Sequence, residues 1–264
     1  MKDKFVNLRK YGSAPYRVAV IHGGPGASGE MAPLARELSH KRGVLEPLQT
    51  TYSIEDQVEE LKNVLEKHAE FPLIMLGFSW GAWLSFIFAA EYPALIKKLI
   101  LIGAGPFEQK YAADITEIRL SRMNEEEELQ TAALSEILTD VNEENKDTAF
   151  AKLGKLISKV DAYDPIEDSD EVIDCRYDIY QSIWRQAKQL RETGELLQLA
   201  KNIQCPVIAI HGDYDPHPFE GVQKPLSKYI TNFSFTLLSN CGHKPWLENL
   251  AKDNFYSIIK KELD

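Results

Sequence analysis

The chain has 264 residues, 44% of them hydrophobic, which is ample for one sizeable core with room for an inserted lid. A formal net charge of -10 and the lack of a Lys/Arg-aromatic patch set nucleic-acid binding aside. The opening Met1-Lys2-Asp3-Lys4 lacks the apolar stretch that export needs, and the apolar runs are strand- or helix-sized, so a cytoplasmic protein with no membrane association is expected. Cys175, Cys205 and Cys241 are few, far apart and without Cys-x-x-Cys spacing, and read as free thiols.

In chain order, strands are expected near 17–21, 43–46, 72–76, 96–102, 206–211 and 233–238. Helices fall between them, at about 29–40, 54–69 behind an N-cap at Ser53, 81–91, 219–230 and 247–262. Alternation of this kind implies a mostly parallel sheet covered on both faces. After Gly103-Ala104-Gly105-Pro106 the pattern changes, and from Phe107 to Asn202 only amphipathic helical stretches are legible, such as Leu129–Leu138 and Val172–Leu190. The expected organisation is a core formed by 1–106 and 203–264, interrupted by an all-helical cap over 107–202.

The run Leu73-Ile74-Met75-Leu76 leads into Gly77-Phe78-Ser79-Trp80-Gly81 and then a helical stretch, a strand-to-helix turn with a serine between glycines. Such a turn exposes the hydroxyl at a helix N-terminus, and the flanking glycines relieve backbone crowding. Alone, the pentapeptide also fits, less well, a helix start with serine as N-cap. The rest of the chain supplies what a weak hydroxyl nucleophile requires, namely a base, an acid and oxyanion donors. His22-Gly23-Gly24-Pro25-Gly26 follows the first strand with small residues that let backbone N–H groups approach a substrate oxygen. The expected oxyanion donors are the N–H groups of Gly24 and Trp80. Gly212-Asp213-Tyr214-Asp215-Pro216 follows the strand at 206–211, and Asn240-Cys241-Gly242-His243 follows the strand at 233–238. The order Ser, Asp, His is that of α/β-hydrolases. Asp213 and Asp215 both lie in the acid loop, and the former suits a turn-capping hydrogen bond to nearby backbone.

The set His22-Gly-Gly-Pro-Gly, Gly77-Phe-Ser-Trp-Gly, Gly212-Asp-Tyr-Asp and Gly242-His243 resembles the α/β-hydrolase fold superfamily, and within it the proline iminopeptidase group, over about the first hundred and last sixty residues. The resemblance implies Ser79 as nucleophile, Asp215 as acid, since the family spacing is Gly-x-x-Asp, and His243 as base. Ala82 stands where the family has a further glycine, and Arg42–Leu48 replaces a family motif that bears on substrate identity. With about sixteen residues before the first clear strand, the family's opening hairpin is missing or reduced to Phe5–Lys10, giving a smaller sheet. No cofactor is expected. Nor is a metal, since no His-x-x-x-His occurs and His211, Asp213, Asp215 and His217 are explained by the acid loop.

The acidity belongs to the cap: residues 108–195 hold 22 Asp plus Glu against 11 Lys plus Arg. Most of these carboxylates fit solvated helix faces. The resemblance implies that one or two face the serine and bind a free amino group. Phe107, Tyr111, Tyr180 and Trp184 are candidate substrate-binding walls, with Tyr177 beside them; Tyr177, Tyr180 and Trp184 also fit a helix core at their spacing. The partner is then a small-molecule substrate, an ester or a short peptide or amide. The leaning is to an aminopeptidase, with a carboxylesterase on small neutral esters as the alternative and a non-catalytic ligand-binding or sensor protein as the third reading. Oligomeric state is left open.

Overall fold

The computed structural model describes residues 7–166 and 174–264. Strands β1 (Leu8–Tyr11), β2 (Tyr16–Ile21) and β3 (Ala27–Ser28) are followed by α1 (Ala32–Ser39), β4 (Gly43–Pro47), α2 (Ile54–His68), β5 (Leu73–Phe78), α3 (Trp80–Glu91) and β6 (Ile96–Ile102). An insert then carries α4 (Ile115–Leu120), α5 (Glu125–Thr139), α6 (Lys146–Val160), β7 (Asp174–Cys175), α7 (Tyr177–Glu192) and α8 (Glu195–Gln198). The chain closes with β8 (Val207–Gly212), α9 (Glu220–Tyr229), β9 (Phe233–Leu238) and α10 (Lys252–Leu263).

Seven strands form one sheet in the order β1-β4-β2-β5-β6-β8-β9, parallel except for β1, which pairs antiparallel with β4 at the edge. The sheet is parallel because each crossover carries a helix, and a parallel sheet needs both faces covered. Side chains alternate between two cores accordingly. Ala19, Ile21, Met75, Leu99, Leu101 and Ala209 face one cluster with α2 and α3, whereas Val18, Val20, Ile74, Leu76, Ile100 and Ile210 face the other with α1 and α10. Helix α3 is apolar on every side and all but its last residue is buried, so it sits as a central post against the sheet rather than a surface helix. Ser53 caps α2 as expected, its Oγ accepting the Asp56 N–H at 3.0 Å.

Of the Phe5–Lys10 segment expected to remain of an opening hairpin, Leu8–Lys10 falls in β1, and Phe5 and Val6 lie outside the described residues. Two differences from the expected elements have local causes. The helix expected over 172–190 begins only at Tyr177, because Asp174 and Cys175 pair with Ser28 and Ala27; residues 172 and 173 lie outside the described residues. Among the described residues, the regular structure between β6 and β8 is helical apart from this two-residue strand. Helix α10 begins at Lys252 instead of 247, because Glu248 turns its carboxylate inward to bind backbone N–H groups.

The edge pair carries a pH consequence. Glu46, fully buried on β4, accepts from Tyr11 Oη at 2.7 Å and has Arg9 at 3.5 Å, while its Oε1 has no protein partner. Burial pushes its carboxyl up to about 7, against the pull of Tyr11 and Arg9. A group with a raised folded-state value stabilises fully below its unfolded value and loses that contribution as pH rises through about 7. Glu46→Gln is therefore expected to gain stability relative to the parent chain between pH 5 and 8, on the order of 2 kcal/mol, in paired denaturant titrations; a pH-independent difference contradicts this.

Candidate active site

Ser79 stands between β5 and α3 at φ 51° and ψ -115°, a strained conformation for a non-glycine residue and the signature of a sharp strand-to-helix turn. The turn is possible because its neighbours lack side chains: a Cβ at Gly77 would strike the Gly81 carbonyl, and one at Gly81 the carbonyls of Ile21 and His22. Ser79 donates its N–H to Ile102 at the end of β6. It keeps some exposure in a stretch, 73–90, where every other residue is buried. Trp80 is the first residue of α3, so its N–H has no carbonyl one turn earlier to bond. Its ring points away from the cleft, donating to Gln57 Oε1 at 3.1 Å in the core.

The His22–Gly26 loop lies against this turn: a methyl group on Gly23 would stand 2.9 Å from Ser79 Cβ. Gly24, at φ 35°, is the one residue of the loop that retains appreciable surface. Fully buried His22 holds the loop's shape. Its Nε2 accepts the Gln49 N–H at 3.3 Å, and its Nδ1–H therefore donates to the Gly23 carbonyl at 2.8 Å. Burial lowers this imidazole to about 4, keeping it neutral near pH 7. Lys244, the residue after His243, pairs with buried Glu30 at 3.3 Å and ties the loop segment to the opposite strand end.

The histidine loop follows β9 and brings the His243 ring 4.7 Å from the ring of Phe78, the residue before Ser79. A methyl at Gly103, one residue past the carbonyl that Ser79 bonds, would stand 3.1 Å from His243 Nδ1. That nitrogen lies 2.7 Å from Asp215 Oδ2. Asp215 has no exposed side-chain surface; burial works to raise its carboxyl, but the His243, His211 and His217 imidazoles outweigh it and hold the group well below the usual carboxylate range. A carboxylate only accepts, so His243 Nδ1 carries the proton and Nε2 is left as the basic edge. Asp213, the other acid of the loop, instead accepts the Cys241 N–H at 3.2 Å, bracing the histidine loop rather than capping its own turn. Ligand-capable atoms of Asp215, His217 and His243 lie within 4.8 Å of one another, with Nδ1 of each imidazole engaged on Asp215.

The insert contacts all three loops. Arg176 N–H donates to the Gly26 carbonyl at 2.7 Å, beside the β3–β7 pair. The Arg122 guanidinium lies 3.7 Å over the ring of Tyr214 in the acid loop. His243 donates its N–H to the Asp161 carbonyl at 2.9 Å, at the exit of α6. Glu248, 1% exposed, accepts N–H groups from Gly242 at 2.8 Å, Tyr163 at 2.9 Å and Asp164 at 2.8 Å, locking the insert onto the histidine loop. Nothing local in the sequence marks Glu248 for this role, because its partners are distant backbone groups.

Of the expected wall residues, Phe107 has no exposed surface and packs edge-on against Phe86 at 4.9 Å, a core position rather than a wall. Tyr180 and Trp184 retain partial exposure and stack in near-parallel succession, Trp83 to Trp184 at 6.2 Å and Trp184 to Tyr180 at 6.4 Å. Tyr111 is half-buried beneath the Lys110 ammonium, against Gly221 at the start of α9. The acidic run Glu125–Glu128 forms the first turn of α5, where it favours the helix dipole. Asp161, whose backbone carbonyl bonds His243, has its carboxylate gripped by Arg119 Nε at 2.8 Å and Nη2 at 2.6 Å.

A strained serine at a strand-to-helix turn, a glycine loop beside it and a His-Asp pair on the last two strand ends define a hydrolase architecture. Residues 16–250 match the family model described as alpha/beta hydrolase fold, and the chain belongs to that family. It is 22% identical to a proline iminopeptidase of Lactobacillus crispatus (strain ST1) over 94% of this chain and 89% of that protein. It is 27% identical to a 2-(acetamidomethylene)succinate hydrolase of Mesorhizobium japonicum over 44% of this chain, a match spanning 45% of that protein's length. Among solved structures, VinJ superposes with a TM-score of 0.67 at 18% identity, covering 97% of this chain and 93% of that one, a likeness of fold. The protein is a hydrolase enzyme. No helix among the described residues is long and apolar enough to cross a membrane.

Proposed function

We propose that the protein is a serine hydrolase in which Ser79, His243 and Asp215 form the catalytic triad and the Gly24 and Trp80 N–H groups form the oxyanion hole. The observation that carries this reading is the 2.7 Å bond from His243 Nδ1 to buried Asp215, at the same strand ends as the strained Ser79 turn. Ser79 Oγ attacks the substrate carbonyl as His243 Nε2 takes its proton, and the negative oxygen is held by the two N–H groups. His243 then passes that proton to the leaving group, which departs to leave an acyl-serine. Water attacks this ester with His243 again as base, releasing the acid and restoring Ser79. The insert (107–202) acts as a cap, fixed on the histidine loop through Asp161 and Glu248.

The substrate class the site supports best is a small neutral acyl ester. Asp161, whose backbone carbonyl bonds the histidine loop, has both carboxylate oxygens on Arg119 and so offers neither to a substrate amine. The stacked rings of Tyr180 and Trp184 offer apolar surface instead. The second reading, an aminopeptidase of the proline iminopeptidase kind, is favoured by the similarity over 94% of the chain. Hydrolysis of p-nitrophenyl esters against the matching p-nitroanilides, each with and without a free amino terminus, separates them. Ester cleavage indifferent to the amine is the expected result. Amide cleavage that requires the amine overturns it in favour of the peptidase.

A further inference from the structure

Asp215 is surrounded by three imidazoles, and the mechanism above uses one. His217, two residues on, places both its backbone N–H, at 3.0 Å, and its Nδ1, at 2.7 Å, on Asp215 Oδ1, the oxygen that His243 does not bond. His211, 1% exposed on β8, bonds the His217 carbonyl through Nε2 at 2.8 Å; a carbonyl only accepts, so this nitrogen carries the proton. The same nitrogen stands 3.3 Å from Asp215 Oδ2. The His217 ring lies 4.7 Å from the His243 ring, tilted by 35°, and the two side chains have nearly equal exposure, 12% and 11%.

From this arrangement we propose that His217 is a positioning residue of the triad: its Nδ1–H anchors the second oxygen of Asp215 and so fixes the plane of the carboxylate that aligns His243. The inference rests on the serine-hydrolase reading above and deepens it. The physical reason is the rotation of the carboxyl group. An Asp held at one oxygen can turn about its last bond, and a small turn moves the acceptor that sets the direction of His243 Nε2 toward Ser79. Two donors on Oδ1 and one on Oδ2 remove that freedom. A backbone N–H alone offers one donor; the imidazole supplies a second, rigid one, and His211 holds the His217 backbone in place through its carbonyl. Burial pushes His217 and His211 below the usual imidazole range against the pull of Asp215, so each donates as a neutral ring near pH 7 and no second positive charge is placed beside His243.

Asn and Gln variants separate this role from direct contact with the substrate, since the Asn amide falls where His Nδ1 lies and the Gln amide reaches where Nε2 lies. The readout is the rate of Ser79 phosphonylation by a fluorophosphonate, resolved into the limiting rate and the half-saturating concentration. His217→Leu is expected to lower the limiting rate about ten- to a hundredfold with half-saturation unchanged, the scale set by loss of reactive alignment. His217→Asn is expected to restore it to within about threefold, because the donor to Oδ1 returns. Thermal melts of each variant identify any that fails to fold, and the His217→Asn comparison then stands on its own. Full activity in His217→Leu overturns the proposal, as does rescue by His217→Gln but not by His217→Asn. If the unaltered chain is itself not phosphonylated at Ser79, the serine-hydrolase reading fails instead, so the two failures are distinct.

Discussion

Asp215→Asn is expected to lower turnover by about 10⁴-fold, while Asp213→Asn leaves it nearly unchanged. The two residues lie in one loop, two positions apart, and chemistry alone does not distinguish them. Their geometry does: Asp215 is fully buried with Oδ2 on His243 Nδ1, whereas Asp213 accepts a backbone N–H from Cys241. An Asn at 215 presents either an amide oxygen or an NH₂ to His243, and in the second case the imidazole takes the tautomer that cannot accept the serine proton. An Asn at 213 keeps its side-chain oxygen for Cys241. Steady-state kinetics of both variants on one chromogenic ester checks the pair; equal losses contradict the assignment.

Gly81→Ala is expected to destabilise the fold by more than about 4 kcal/mol, in the range that single substitutions reach only through a named steric or burial fault. Here the fault is a Cβ driven into the carbonyls of Ile21 and His22, where the glycine loop passes the turn, with backbone on both sides unable to yield. The neighbouring Ala82 provides the contrast. It is buried in α3, and Ala82→Gly is expected to cost only about 1 kcal/mol from helix propensity. Guanidinium denaturation of the two variants, or recovery of soluble Gly81→Ala against Ala82→Gly, measures the difference. Comparable stability of the two contradicts the steric account.

The central sheet was legible because its strands are buried on both faces and read as short apolar runs, such as Leu73–Leu76 and Leu99–Ile102, between helix signals. Ser53 announced α2 because a cap is a local device. Elements whose cause is distant were not legible. Asp174–Cys175 is strand only because Ala27–Ser28 lies alongside, and two residues carry no periodicity. Phe107 sat at the sheet-to-insert junction and suggested a wall; contact with Phe86 and Trp83 makes it core. At the candidate site, the glycine-flanked Ser79 and the order of the two later loops were visible as motifs. The second anchor of Asp215 was not, since His217 gains its meaning from a rotamer and from His211, six positions earlier in the chain. Glu248 falls within the helix expected over 247–262 with nothing local to mark it, and its three backbone partners come from two separated segments.

The central claim, that Ser79 is an activated nucleophile, is tested most directly by intact-mass analysis after exposure to a fluorophosphonate, with peptide mapping of the adduct and the Ser79→Ala chain alongside. The account predicts one adduct per chain, mapped to Ser79, formed at a rate that falls in Asp215→Asn and absent in Ser79→Ala. An unmodified chain under conditions that label other serine hydrolases, or an adduct that persists in Ser79→Ala, contradicts it.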